Sequence, residues 1–129
     1  MEEDKRKALA ERYTYLQIIL ENFIKQRELI LKNLEEIEET LEAIQNLKKE
    51  MEVIFSIGGN VFGFGKITSD KFLVNVGYNV GVEFEKDKAL EILERNKESL
   101  IKNLNEIEEN INKIVSEQQK ILNLIQNKE

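Results

Sequence analysis

The sequence predicts a mostly α-helical protein, a long antiparallel coiled-coil hairpin with two β-hairpins at one end that oligomerise into a shared β-barrel body. Three observations carry that expectation. Apolar residues recur at alternating three- and four-residue steps along residues 8–51 and again along residues 87–128, the signature of a heptad seam. All six glycines fall between those stretches, in residues 52–86, among Val, Ile, Phe and Leu. The 129 residues contain no proline and 34% of them are charged, a composition that accompanies long helices rather than a compact globule. The three segments are read together as a single domain.

The first seam is Leu9, Tyr13, Leu16, Leu20, Phe23, Arg27, Ile30, Leu34, Ile37, Leu41, Ile44, Lys48 and Met51. The second is Leu90, Leu93, Lys97, Leu100, Leu104, Ile107, Ile111, Ile114, Gln118, Ile121 and Ile125. At 1.5 Å per residue each helix is roughly 60 to 65 Å long, and matched lengths with a short connection favour an antiparallel pair. Asp87 is the candidate N-cap of the second helix, although Leu90 stands where a capping box would have Glu. Each seam has two polar interruptions, and an antiparallel register that puts Lys48 beside Lys97 also puts Arg27 beside Gln118. Polar seam residues can fix such a register; long Lys and Arg side chains can equally reach past the seam to water.

The middle segment reads as two hairpins. Val53–Ile57 and Val61–Ile67 flank Gly58-Gly59-Asn60, and Phe72–Val76 and Val80–Phe84 flank Gly77-Tyr78-Asn79, with Ser69-Asp70 turning the chain between them. In the last strand Val80, Val82 and Phe84 share one face. An isolated hairpin is marginal in water, a segment this short has no core of its own, and its free edges invite pairing with another chain. The oligomerisation surface is therefore assigned to Val53, Phe55 and Ile57, Val61 and Phe62, Phe72, Val74 and Val76, and Val80, Val82 and Phe84.

Several functions are excluded. A net charge of −6 opposes nucleic-acid binding, which draws its affinity from Lys and Arg on phosphates, and opposes an anionic membrane surface. With no His and no Cys, the commonest general base and the commonest soft metal ligands are missing. Gly65-Lys66 is not a phosphate-binding loop, because Asn60 stands where its first Gly belongs and Ile67 where Ser or Thr would bind magnesium. The acidic run Glu35, Glu36, Glu38, Glu39 surrounds seam residue Ile37 and reads as a solvated helix face rather than a tuned carboxylate pair. The expectation is a protein without catalysis, metal or cofactor. The charged start Met1–Lys7 lacks the apolar stretch of a signal peptide, and no apolar run approaches a membrane span, so a soluble, cytoplasmic protein is expected.

The order of heptad helix, two Gly-turn hairpins and heptad helix resembles the alpha class of the prefoldin family over nearly the whole chain. Its most specific stretches are Ile57-Gly58-Gly59-Asn60-Val61-Phe62, Phe72-Leu73-Val74-Asn75-Val76-Gly77 and Val80-Gly81-Val82. Asn60 and Asn79 replace Gly, which left-handed turn geometry tolerates, and Ser56 stands where Pro is frequent. The resemblance implies a hexamer of two alpha-class and four beta-class subunits, whose hairpins form a double β-barrel carrying six coiled-coil tentacles. Such a complex holds non-native polypeptides at the tentacle tips and passes them to a group II chaperonin without ATP. A self-assembling filament of a prefoldin-like protein is the alternative.

Placed on this chain, the resemblance makes the terminal end of the seam the client-binding tip: Leu9, Tyr13, Leu16 and Leu20 with Ile121, Leu122, Leu124 and Ile125. Helix ends fray, and fraying would expose residues otherwise buried. The other reading is that they only complete the seam; Tyr13 and Tyr15 are candidate binding aromatics, and for Tyr13 a packing role in the seam weighs equally.

Overall fold

The structure is a computed structural model and describes residues 2–126. Helix α1 spans Glu2–Asn46, strands β1 to β4 span Glu52–Gly58, Val61–Lys66, Lys71–Asn75 and Gly81–Glu85, and helix α2 spans Lys86–Gln126. The chain divides between Leu34 and Glu35, and again between Glu98 and Ser99, into two compact units.

In the first unit the two helices face each other along the seam. Leu16, Leu20, Ile107, Ile111, Ile114 and Ile121 form its core, with Leu9, Tyr13, Phe23, Ile30 and Ile125 packed against it. Apolar burial on one stripe of each helix is what the heptad spacing dictates. The helices are antiparallel: Arg12 pairs with Glu117 at 3.1 Å, and Gln118 Nε2 donates to Gln17 Oε1 at 2.9 Å and to the Tyr13 carbonyl at 3.5 Å. Gln118 is buried, so those bonds satisfy an amide that water cannot reach.

The second unit holds the other ends of the helices and both hairpins. Leu41, Ile44 and Ala89 are buried, and Lys86 Nζ donates to the Gln45 carbonyl at 2.9 Å. Lys97 forms an ion pair with Glu38. The expected register is thus overturned. Lys97 meets Glu38 rather than Lys48, and Gln118 meets Gln17 rather than Arg27. The cause is the end of α1, which the sequence places at residue 51 and the structure at Asn46. Lys48 lies beyond it in an exposed connection, followed by Glu50 in the left-handed conformation at φ 72°. Register follows from where the helices leave the hairpins, not from matching polar positions.

Helix α1 also begins before residue 8, at Glu2, with Glu2, Glu3 and Asp4 in its first turn, where carboxylates oppose the positive end of the helix dipole. Asp87 is inside α2 rather than capping it, because the helix starts on the residue after β4. The last residues of the second predicted helix, 127 and 128, lie outside the described residues.

Both hairpins form as two-stranded antiparallel sheets, β1 with β2 and β3 with β4. Their turns have one geometry. Gly58, Gly59 and Asn60 have φ of 126°, 55° and 63°, and Gly77, Tyr78 and Asn79 have 111°, 53° and 59°. The Asn75 side chain accepts from the Gly77 N–H at 2.9 Å, and Ser69 accepts from the Lys71 N–H at 3.0 Å, local bonds of the kind that favour Asn and Ser in turns.

Candidate functional site

Two regions hold the residues singled out from the sequence. The first is the hairpin surface. In the β3–β4 hairpin Phe72 faces Phe84 and Val74 faces Val82, so the predicted apolar face is assembled as a cross-strand ladder. Val76 and Val80 prolong it beyond the strands, the Val76 N–H donating to the Val80 carbonyl at 3.0 Å. Phe72, Val74 and Phe84 are half-buried, while Val76, Val80 and Val82 are exposed.

The β1–β2 hairpin is apolar on both faces. Val53 and Phe55 stand opposite Gly65 and Gly63, and on the other face Ile54 and Ser56 stand opposite Phe64 and Phe62. The Phe55 ring lies over the two glycines: a Cβ on Gly63 would come within 2.6 Å of it, and one on Gly65 within 3.3 Å. Leu73 lies over Gly81 in the same manner, at 3.0 Å. Glycine inside these strands makes room for a large cross-strand side chain. Ile57 and Val61, beside the turn, are exposed.

The predicted surface therefore mixes residues from both faces of this hairpin, and it omits Ile54, Phe64 and Leu73. Phe64 is 84% exposed, Leu73 74% and Ile54 65%. The omission had a signal. Val53-Ile54-Phe55 is a continuous apolar run, which in a strand means burial on both faces, whereas alternation alone finds one face.

The second region is the terminal end of the helical pair. All eight predicted tip residues lie in the first unit, and their exposure is uneven. Leu16, Leu20 and Ile121 are buried at 3%, 8% and 4% exposure, because the facing helices close over them. Leu9, Tyr13, Leu122 and Ile125 are half-buried and Leu124 is exposed. Beside them, Tyr15 and Ile18 are exposed on α1 and Val115 on α2. The Arg12 guanidinium sits 5.6 Å above the Tyr15 ring while also binding Glu117. Tyr13 packs in the seam and Tyr15 points away from it, which separates the two tyrosines that the sequence left undecided.

Among the described residues no group of acidic side chains is arranged to hold a metal ion, and no helix is long and apolar enough to cross a membrane. Among the described residues two titrating groups are perturbed, both by surface ion pairing. Hydrogen bonds from Arg95 and then Lys88 hold the Glu91 carboxyl below its ordinary range. The Glu38 carboxylate holds the Lys97 ammonium above its ordinary range. Neither pair lines a cleft with a nucleophile, so these shifts describe helix-surface charge pairing.

Comparison with known proteins agrees with this architecture. The family profile described as Prefoldin subunit matches residues 15–129. Prefoldin subunit alpha of Thermofilum pendens is 30% identical over 99 residues, covering 74% of this chain and 77% of that protein. Prefoldin subunit alpha of Archaeoglobus fulgidus is 29% identical over 84 residues, 64% of this chain and 61% of that protein. Human prefoldin subunit 3 is 28% identical over 110 residues, 80% of this chain but 56% of its own length. The chain thus spans little more than half of the subunit 3 relatives that it matches. Among solved structures, a cryo-EM structure of filamentous PFD from Methanocaldococcus jannaschii superposes with a TM-score of 0.69 at 18% identity, covering 90% of this chain and 97% of that one.

Proposed function

The chain belongs to the prefoldin family, as an alpha-like subunit, and from that membership we propose that it is part of an ATP-independent chaperone that captures non-native polypeptides at the ends of its helices and delivers them to a group II chaperonin. Its partners in this reading are beta-class prefoldin subunits, four to every two alpha-class chains, joined through the hairpins into a β-barrel body in the cytoplasm. Val53, Phe55, Ile57, Val61, Phe62, Phe72, Val74, Val76, Val80, Val82 and Phe84 serve that assembly, with Ile54, Phe64 and Leu73 added by their exposure.

The observation that carries the capture mechanism is the state of the terminal seam. Leu9, Tyr13, Leu122 and Ile125 are only half covered and Leu124 is exposed, with Tyr15, Ile18 and Val115 exposed beside them. Burying one such side chain against a client contributes roughly 1.5 to 3 kcal/mol, too little alone, so several chains must act together through effective concentration. Leu16, Leu20 and Ile121 join the grip when the helices part.

The test is suppression of aggregation of a denatured protein, without nucleotide, by a complex with a beta-class subunit. Replacing Leu9, Tyr13, Leu124 and Ile125 with Ser should weaken capture while native mass stays that of the parent. Undiminished capture by a complex altered in every tentacle would refute the tip mechanism. A second reading, self-assembly into a filament, draws on the doubly apolar β1–β2 hairpin, which needs cover from neighbours of any kind. Native mass of the chain alone, and with a beta-class subunit, separates the two.

A further inference from the structure

The turn of the β3–β4 hairpin carries a residue that the local geometry does not favour. Tyr78 has φ 53°, in the left-handed region that bulky side chains seldom occupy. The matching position of the other turn, at φ 55°, is Gly59. Tyr78 is also completely exposed at 102%, flanked by Val76 at 53% and Val80 at 51%. An aromatic ring held in strained backbone and given wholly to water contributes nothing to its own fold. Strain of this kind persists where a contact outside the local structure uses it.

The same unit contains a receptor of suitable chemistry. A groove of about 640 Å³ is lined by Glu52, Val53, Ile54, Phe64, Gly65 and Lys66 at the open end of the β1–β2 hairpin. Its floor is apolar, with Ile54 directly opposite Phe64, and its rim is the cross-strand pair Glu52 and Lys66. A tyrosine matches both parts. Its ring can lie against Phe64 and Ile54 in the offset or edge-on geometry that aromatic pairs prefer, and its hydroxyl can donate to the Glu52 carboxylate or accept from the Lys66 ammonium.

We propose that Tyr78 of one copy of this chain is the anchor that seats in the Val53–Ile54–Phe64–Gly65 groove of a second copy. The proposal rests on the assembly reading above but specifies the contact and its partner. Knob and groove are different surfaces of one chain, so a pair joined head-to-tail keeps one free knob and one free groove. It closes into a ring or propagates as an open polymer according to the rotation between copies. Val76 and Val80 widen the buried area around the anchor, and the central ring in an apolar groove has the character of an interface hot spot.

The experiment uses the full chain. Tyr78→Gly removes the anchor and places at φ 53° the residue that suits it, so the hairpin keeps its fold, checked by circular dichroism and amide exchange. Self-association measured by sedimentation should weaken roughly 30-fold or more, the effect of losing a hot-spot side chain. Association equal to the parent's would overturn the proposal. The chain has no cysteine, so a mixture of Val80→Cys and Lys66→Cys chains gives a second arm that leaves Tyr78 and the groove floor intact. A mixed disulfide, in preference to either homodimer, is expected. A Val80→Cys homodimer would put two turns together and overturn the proposal, as would a parent chain that stays monomeric. Cross-linking of Val80→Cys only to a beta-class subunit, or only to denatured client, would also overturn it by giving the anchor a different partner. The capture assay with the beta-class complex is independent of these outcomes.

Discussion

At the scale of single residues, the glycines beneath Phe55 and the ion-paired Glu91 give the clearest expectations. A methyl group on Gly63 would lie 2.6 Å from the Phe55 ring, so Gly63→Ala must swing the ring out of its place. Overpacking of this kind costs about 1 kcal/mol or somewhat more, and the ring is free to move on its solvent side. Amide exchange in β1 and β2 should quicken, with the helices unchanged. Glu91 tests the electrostatics. Its carboxyl is held low by Arg95 first and Lys88 second, so its charge favours the folded helix at pH above the unfolded carboxylate range. That benefit disappears as pH falls through the folded value. In Arg95→Gln the Glu91 titration followed by carbon NMR should move to higher pH; an unmoved titration would show that the pair does not form in solution.

At the scale of elements, the helical pair was legible in the sequence because a seam advertises itself. Leu16, Leu20, Ile107, Ile111, Ile114 and Ile121 are core residues at the positions that three–four spacing selects. The register was not legible. It depends on α1 ending at Asn46 and on the left-handed Glu50, and Glu is a residue that announces no helix end. The consequence reaches mutagenesis. Lys48 is exposed in the connection, so changing it to Leu does nothing for the seam, and Lys97→Leu gives up the Glu38 pair. The polar layer that matters is Gln118 with Gln17. Gln118→Leu should raise the stability of the helical pair by about 1 kcal/mol, since a buried polar layer trades stability for register and the half-buried Gln17 can turn to water. A lower melting temperature for this variant would show that the amide bonds outweigh the apolar gain.

At the scale of the whole molecule, the need for cover was legible. Two hairpins with apolar faces and no core of their own require neighbours. Which face needs cover was only half legible, because the residues assigned from the sequence pass over the exposed Ile54, Phe64 and Leu73. Val82, opposite Val74 and 37% exposed, lies at the centre of the face both approaches select. Val82→Lys should abolish higher assembly while helix content persists, as an unpaired charge buried in an interface costs several kcal/mol. Sedimentation equal to the parent's would mean that this face stays in water.

The passage from β4 to α2 has a mechanical side. Glu85 closes the strand and Lys86 opens the helix, with no residue between them to act as a joint. The other helix is separated from β1 by residues 47–51, which turn through Lys48 and Glu50 before the strand begins. One stalk therefore runs directly into its hairpin, and the other enters through a turn that Glu50 and Met51 tie to Ile67 at the end of β2. A tug on α2 is carried through continuous backbone into β4 and its Phe72–Phe84 pair, whereas a tug on α1 is divided at that turn between β1 and the end of β2. An uneven load on the two helices would therefore bear on the hairpins differently, through one strand of the β3–β4 hairpin and through both strands of the β1–β2 hairpin.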